Sequence, residues 1–279
     1  MGVRMSVRNR LFVALAAATT IALPFAARAE DPKPAVSTLN GKLSLEGGAT
    51  GAGGTSSGVS ILNGSVTTPL GHALGFQLDG TAGTAFNSVF GGGTAHLFWR
   101  DPAIGLIGPI ASIQAGSGVR LGWYGGEAEL YAGIFSFGAW AGYHEAVDNT
   151  LGMSASGAFY QGRATVYPTP DLALSLGGGA ELNHAQGSAS IEFQPRFADR
   201  HNVSFYVNGA MVDPQAYSVT AGIRIYFGPD KPLIRRHRED DPAAAFTSAA
   251  SAWEGLAAEL QNAASLFPGS SNGPQLPLP

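Results

Sequence analysis

Residues 217–227 read YSVTAGIRIYF, and this stretch decides the fold. Its odd positions, from Tyr217 through Val219 to Phe227, are all apolar or aromatic, and most of the even positions between them are polar. Strict alternation over about ten residues is typical of a β-strand with two different faces. About ten residues exceed the usual five or six of a soluble strand and match what a tilted transmembrane strand needs. The segment therefore predicts a strand that crosses a membrane.

The same alternation recurs upstream, so that residues 38–227 are predicted to form one antiparallel transmembrane β-barrel. Residues such as Pro, Gly and Asp mark the turns that divide this region. The pattern predicts about 12 strands, at approximately 38–47, 58–68, 73–84, 88–99, 105–115, 118–131, 134–144, 155–167, 172–183, 186–195, 201–212 and 216–227. Ten strands are the alternative, because 105–131 could hold fewer. An even number of strands places both termini of the barrel on the periplasmic side, with the loops outside.

The last strand resembles the C-terminal assembly signal of bacterial outer-membrane proteins, which has a glycine, alternating apolar residues and a final aromatic residue. Gly222, Tyr226 and Phe227 stand at those positions here. Residues 226–242 also resemble the end of uncharacterised alpha-proteobacterial outer-membrane barrels. The resemblance implies a cell outer-membrane location, contact with outer-membrane lipid and insertion by the barrel-assembly machinery. It names no activity, and about fifty residues follow Phe227, where the family signal normally ends the chain.

The N-terminus is predicted to be a secretory signal peptide covering residues 1–29. Three arginines precede an apolar run at 11–26, and Ala27-Arg28-Ala29 fits the small-residue pattern of a cleavage site. An uncleaved membrane anchor is the alternative, but the run is shorter than the roughly 20 residues of a spanning helix. Residues 30–37 are then expected to form an N-terminal periplasmic segment ahead of the barrel.

Glycine is the anomaly of the composition, with 39 of 279 residues, whereas only 13% of the residues are charged. Small residues let the wall of a closed barrel curve, so the glycines are expected in the wall and in a long outer loop at 48–58. Gly125-Gly126 is expected to form a β-bulge, because the parity of the apolar positions changes there. Aromatic residues near the strand ends predict interfacial girdles, namely Phe98, Trp99, Trp123, Tyr124, Tyr143, Tyr167, Tyr217, Tyr226 and Phe227.

Several function classes are excluded or disfavoured by composition. The chain has no cysteine, which excludes a thiol nucleophile, a disulfide scaffold and a cysteine metal site. A pI of about 5.8 without a long basic face argues against nucleic-acid binding. No two of the six histidines have a metal-ligand spacing. We therefore expect no cofactor and no enzymatic activity.

The charged residues within the strands predict a polar lumen, since a charge that faced lipid would be costly. The residues expected to face the lumen are Lys42, Glu46, Asp79, Arg100, Glu127, Glu129, Arg163, Glu181, Glu192 and Arg224. Residues 39–227 carry a net charge of about −5, so a water-filled lumen would mildly favour cations. The function predicted from this pattern is a porin-like passive channel for small polar solutes. A non-conducting structural or anchoring barrel, in which the charges pair with one another, is the alternative.

A second alternative is an outer-membrane lipid hydrolase that uses a His and a Ser near the rim of the barrel. The nearest candidate pairs in the sequence are His184 with Ser188 and His144 with Ser154. Neither pair shows a motif of such enzymes.

The tail, residues 228–279, is expected to be periplasmic and to carry an amphipathic helix at about 243–266. Apolar residues recur there at spacings of three and four. Such a helix could lie on the membrane surface, plug the mouth of the barrel or bind a periplasmic partner. The oligomeric state is left open by the sequence.

Overall fold

A computed structural model of the chain describes residues 33–52, 54–149, 152–181, 184–196, 202–212 and 216–241. Within these ranges it contains 12 strands and one short helix. The strands are β1 (Asn40–Ala52), β2 (Thr55–Leu70), β3 (Leu74–Ala85), β4 (Ser88–Asp101), β5 (Gly105–Gly116), β6 (Val119–Ala132), β7 (Phe135–Asp148), β8 (Met153–Thr169), β9 (Leu172–Glu181), β10 (His184–Phe193), β11 (Val203–Val212) and β12 (Ala216–Phe227). The helix, α1, spans Leu233–Glu239.

The strands form a single closed antiparallel barrel. Each strand pairs with its neighbours in the chain, and β12 pairs with β1 from Gly41 opposite Phe227 to Gly51 opposite Tyr217. Since the sheet closes on itself, no strand is left with an unpaired edge. The predicted 12-strand barrel is confirmed, and the ten-strand alternative is wrong because residues 105–132 hold two complete strands, β5 and β6.

The two faces of the wall differ sharply in chemistry. Along β1, Leu43 and Leu45 point outward and are 43% and 64% exposed, whereas Ser44 and Glu46 point inward and are 2% and 5% exposed. The same alternation runs around the barrel, so its outer surface is covered with exposed Leu, Val, Ile and aromatic side chains. A soluble monomer rarely exposes so large an apolar surface.

The hairpins are tighter than the sequence indicated. The predicted long outer loop at 48–58 is wrong, because β1 continues to Ala52 and β2 begins at Thr55. The backbone hydrogen bonds that pair the two strands of this hairpin do not depend on its small side chains. Its Thr residues also favour an extended backbone. Phe86 and Asn87 form a two-residue turn in which both φ angles are positive, at 48° and 57°, as in the type I′ turns that suit a twisted hairpin.

The predicted β-bulge at Gly125-Gly126 is wrong. The pairing of β5 with β6 is continuous through this region, so the odd residues of β6 face inward along its whole length. Gly125 lies opposite Gly142 of β7, and a Cβ on Gly125 would lie 2.2 Å from the carbonyl oxygen of Ala141. The glycine pair therefore allows close backbone approach. The parity change in the apolar pattern arises because Leu121 and Trp123 pack inside the barrel.

The aromatic residues expected in interfacial girdles divide between the two faces. Phe98, Trp123, Tyr167 and Tyr226 are buried inside the barrel, so the girdle prediction is wrong for these four. They occupy inward positions, where they fill the lumen. The others are exposed on the outer surface, namely Trp99, Tyr124, Tyr143, Tyr217 and Phe227.

The described tail contains only α1, which the sequence did not predict. The predicted signal peptide at 1–29 and the helix predicted at about 243–266 both lie outside the described residues. In the part of the chain that the structure describes, no helix has the length and hydropathy to span a membrane.

Substituting Gly222 tests how tightly the wall packs around the final strand. A Cβ at Gly222 would lie 2.6 Å from the carbonyl oxygen of Leu45 and 2.7 Å from the ring of Tyr206, whereas a Cβ at Gly80 would meet open space. Overpacking of this kind typically costs about 1–3 kcal/mol, so G222A should lower the free energy of unfolding by that amount. We expect G80A to be neutral or mildly stabilising, because alanine restricts the unfolded chain.

Urea unfolding of each variant refolded into phospholipid vesicles measures this difference. Equal free energies of unfolding for the two variants would contradict the packing described for Gly222.

Candidate functional site: the barrel lumen

The lumen is lined by charged and polar side chains that bond to one another across the barrel. The barrel has two ends. The loop end is the end where β1 leads into β2, and the turn end is the end where β1 begins and β12 finishes. All ten charged residues predicted to face the lumen occupy inward positions, and each contacts a partner inside.

The most buried polar group is centred on His96 of β4, which has no exposed surface. Its Nε2 lies 2.9 Å from Asp79 Oδ2, and its Nδ1 lies 2.9 Å from Glu127 Oε1. Gln77 donates to Asp79 at 2.8 Å and accepts a hydrogen bond from Thr67 at 2.6 Å. A single chain of hydrogen bonds thus links β2, β3, β4 and β6. The inward parity of β4 was the signal that could have identified His96.

Glu192 anchors a second group near the turn end. It accepts hydrogen bonds from Arg224 at 2.6 Å and from the hydroxyl of Tyr226 at 2.7 Å, and Ser204 also donates to it. This places Arg224 and Tyr226 of β12 against β10 and β11. The two aromatic residues that resemble an assembly signal therefore lie on opposite faces of the wall. Tyr226 points inward, and Phe227 is exposed on the outer surface.

Glu46 joins four strands at the seam where the barrel closes. It accepts hydrogen bonds from Asn63 of β2 at 2.9 Å, Thr220 of β12 at 2.8 Å and Asn208 of β11 at 3.4 Å. A buried carboxylate must be hydrogen-bonded to be tolerated, and three donors provide this.

Aromatic side chains contact two further charged residues of the lumen, Glu181 and Arg163. Glu181 accepts a hydrogen bond from Trp123 Nε1 at 2.7 Å and contacts His144, whose ring stacks on Trp123 at 4.7 Å between centroids. On neighbouring strands the guanidinium of Arg163 lies 5.1 Å over the ring of Trp140. Sequence reasoning did not predict that His96 and His144 face the lumen.

The lumen becomes apolar toward the loop end on the side of β2, β3 and β4. Val59, Ile61, Ala85 and Phe90 form a buried cluster there. Phe86 of the following turn packs against it. Hydrophobic constrictions in pores resist wetting, so this cluster narrows the path available to a polar solute.

At the turn end, residues 231–241, which we call the closing segment, cover the lumen. Leu233 of α1 is fully buried against Tyr167, Ala173 and Tyr226. Arg238 donates hydrogen bonds to the backbone carbonyls of Gly133 at 2.9 Å and of Phe135 at 2.7 Å.

Ion pairs and hydrogen bonds join residues within the closing segment and link it to the wall and to residues 33–38, which precede β1. Lys231 lies 3.0 Å from Glu239, and its ammonium group donates to Asp240 at 2.8 Å and to Ser37 at 2.8 Å. Lys42 of β1 is paired with Asp241. The three acidic residues at the end of the segment therefore all have cationic partners.

The segment 33–38 packs beside the closing segment in the same mouth. Val36 is fully buried against Phe98 and Leu106, and Arg100 donates to the carbonyl of Ala35 at 3.3 Å. Arg100 also lies 4.7 Å over the ring of Phe98. The lumen-facing arginine of β4 therefore holds the chain that leads into the barrel.

A cavity of about 130 Å³ lies beneath the closing segment. At about 30 Å³ for each molecule of liquid water, it has room for about four waters. Beside the imidazole of His237, charged side chains of both signs line it, namely Lys42, Glu129, Arg163, Glu192, Arg224 and Asp241. This is the polar space that remains in the lumen beside α1.

The two candidate hydrolase pairs are not brought together. His184 and Ser188 lie on one face of β10 but four residues apart, which is about 13 Å along a strand. His144 is buried inside, whereas Ser154 is exposed and lies opposite Val147. Among the described residues no group of three or more His, Asp or Glu could hold a metal ion.

Burial within the mouth shifts the pKa of two groups on α1. Burial lowers the pKa of His237 from 6.5 to about 4, against the raising effect of Glu192 and Asp241. Burial alone would raise the pKa of Glu239, but hydrogen bonds from Arg235 and Lys231 prevail and lower it to about 2. At neutral pH the docked segment therefore carries a neutral imidazole and an ionised Glu239.

Comparison with known proteins finds similar barrels only among solved structures. No family model matches the chain, and no curated protein matches its sequence. The KdgM porin matches 65% of this chain and 98% of its own at 12% identity, with a TM-score of 0.49. An outer membrane channel from Pseudomonas putida F1 matches 73% of this chain and 100% of its own at 12% identity, with a TM-score of 0.48. The NanC porin matches 66% and 98% at 10% identity, with a TM-score of 0.46.

Acidification should weaken docking of the closing segment between about pH 6.5 and pH 4. Undocked His237 binds a proton near its ordinary pKa of 6.5, whereas docked His237 does so only near 4. Protonation therefore favours the undocked state between these values. The equilibrium constant for docking should fall by up to tenfold for each pH unit in this window. Glu239 is not expected to shape this profile, because Arg235 and Lys231, which lower its pKa, belong to the closing segment and leave with it.

The measurement is the labelling rate of A173C, a buried position under Leu233, relative to that of the exposed A103C at the same pH. A disulfide reagent that reacts with thiols in acid keeps the two rates comparable. H237N should flatten the profile from pH 6.5 to 4. An unchanged profile in H237N would contradict this role of His237.

Proposed function

We propose that this protein is an outer-membrane channel for small polar solutes. The observation that carries the proposal is the combination of an apolar outer surface with a charged lumen in one closed barrel. A structural barrel also needs an apolar outer surface, but it gains nothing from a cavity lined by charged side chains.

The apolar outer surface supports a place in a membrane. Closed barrels and helices are the structures that satisfy every backbone hydrogen bond within lipid, and this barrel has no open edge among its described strands. The predicted signal peptide at 1–29 and the resemblance of 218–227 to an assembly signal agree with export to the outer membrane. In that setting the turn end, where the first strand begins and the last strand finishes, faces the periplasm.

The wall supports transport rather than catalysis. Twelve strands enclose more space than eight, whose interior is just filled by side chains. Residues 39–227 have a net charge of about −5, so the passage favours small cations or neutral polar solutes over anions. No candidate nucleophile among the described His and Ser pairs is in reach of its base.

A non-conducting structural barrel is the second candidate, and two observations favour it. The charged side chains of the lumen bond to partners inside the barrel, as this candidate requires. The cluster of Val59, Ile61, Ala85 and Phe90 fills part of the lumen with apolar side chains, although the lumen would tolerate polar ones. A role as a membrane anchor would make that packing useful for stability. Its partners would then bind outside the barrel, and the predicted helix at 243–266 is the part of the tail proposed to reach them.

Planar-bilayer recording of the refolded full chain distinguishes the two candidates. The channel predicts discrete conductance steps, with permeability for small cations above that for anions, because the strand region has an acidic excess. Conductance that stays at baseline in the wild type and in variants whose closing segment is released would contradict the channel and favour the structural barrel.

A further inference from the structure

We propose that the closing segment, residues 231–241, is the gate of this channel, closed when docked in the turn end and open when it swings out into the solvent. The inference rests on the proposed channel function, which it deepens by naming how the passage is regulated.

The wall of the barrel is complete without the closing segment. The ladder that joins β12 to β1 runs from Gly51 opposite Tyr217 to Gly41 opposite Phe227 and uses no residue beyond Phe227. Removal of the segment therefore breaks no strand pairing. What remains at the turn end is the intact wall with residues 33–38 on the side of Phe98 and Leu106.

Gly228 turns the chain from the wall into the mouth. It follows β12 directly and has a φ of 118°, which side-chain-bearing residues rarely adopt, and a Cβ there would lie 3.0 Å from the Cβ of Asn40. The covalent link keeps the segment beside its docking site. Opening and redocking are therefore intramolecular events, for which the effective concentration is high.

The contacts of the docked segment are mainly ionic and polar. Asp241 pairs with Lys42 of β1, and Glu239 pairs with Lys33 at 3.3 Å. Ser37 accepts a hydrogen bond from Lys231 and donates one to Asp240. The pairs of Lys231 with Glu239 and Asp240 lie within the segment and can persist when it leaves. When the segment leaves, these groups can be hydrated at the mouth, so the cost of separation is smaller than for an apolar interface of the same size. Leu233 is the fully buried apolar anchor of α1.

The segment occupies the space through which a solute would pass. His237 lies 2.9 Å from the hydroxyl of Tyr167 on β8 and 3.5 Å from that of Tyr226 on β12, and its Nε2 lies 3.7 Å from Glu192 on β10. Lys42 and Arg224 are the other charges that face it across the lumen. A helix that contacts β8, β10 and β12 covers this side of the mouth above the cavity, so its departure joins the cavity to the solvent.

An engineered disulfide locks the gate in a protein that has no cysteine of its own. Ser37 and Asp240 are joined by a side-chain hydrogen bond, and the backbone N–H of Ser37 donates to the carbonyl of Glu239 at 3.2 Å. S37C/D240C should therefore form a bridge between the segment and the chain that leads into β1. Reduction of the same protein gives a more weakly docked form, since the hydrogen bonds that Ser37 makes with Asp240 and Lys231 are absent from it.

Conductance of full-length S37C/D240C in planar bilayers is the readout, with bridge formation confirmed by mass spectrometry. We expect baseline current when oxidised and an open probability at least fivefold above that of the wild type when reduced. S37C alone is the matched control and should give the same current in oxidant and reductant. A bridged protein that conducts as well as its reduced form would overturn the gate and leave the channel function intact.

A variant without cysteine, E239Q/D240N/D241N, tests the ionic part of the gate independently. It should conduct more often than the wild type, and the A173C reporter placed in it should label faster. Faster labelling without any rise in open probability overturns the gate. If neither this variant nor reduced S37C/D240C ever conducts although the reporter is exposed, the channel function itself is overturned.

Discussion

Backbone hydrogen bonding in the absence of water is the constraint on which the rest of this structure depends. A strand within lipid cannot leave an N–H or C=O group unpaired, and this chain meets the requirement by pairing β12 with β1. Closure fixes the inward and outward faces of every strand. The wall then places Leu43 and Leu45 outside and Glu46 inside, and a shift of one residue would exchange them.

Closure also forces the polar side chains to find partners in a confined space. Glu46 takes donors from three other strands at the seam, and Glu192 takes three donors near the turn end. Removing one partner from a buried charge usually costs more than the interaction itself contributed. The lumen therefore stabilises one arrangement of strands. The closing segment adds the partner of Lys42 from outside the wall.

The strands were predictable because their signal is local. Alternation at period two within each segment identified all 12 strands within a few residues, and the same parity placed the charged residues inside. Parity near the strand ends also predicts which face an aromatic residue occupies, since Phe98 shares its face with His96 and Arg100. Assigning it to a girdle by position alone put it on the wrong face. At Gly125 the sequence pattern resembles that of a bulge, because the inward side chains of β6 change there from the apolar Leu121 and Trp123 to the charged Glu127.

The closing segment could not be predicted from local pattern. It has seven helical residues, no side-chain cap at its start and no apolar periodicity long enough to detect. Its position depends on pairs far apart in the chain, such as Lys42 with Asp241. Contacts of this kind exist only after the barrel has brought β1 and β12 together. The loops were overestimated for a related reason, since small polar residues form extended hairpins when the neighbouring ladder continues.

The most direct test of this account is a scan of β12 with single cysteines that carry an environment-sensitive fluorophore, in vesicles containing brominated lipid. The structure predicts strong quenching at the outward positions Val219, Ala221 and Ile223, and weak quenching at the inward positions Ser218 and Thr220 between them. Equal quenching at all five positions, or none at any of them, would contradict a membrane-spanning barrel with a polar lumen.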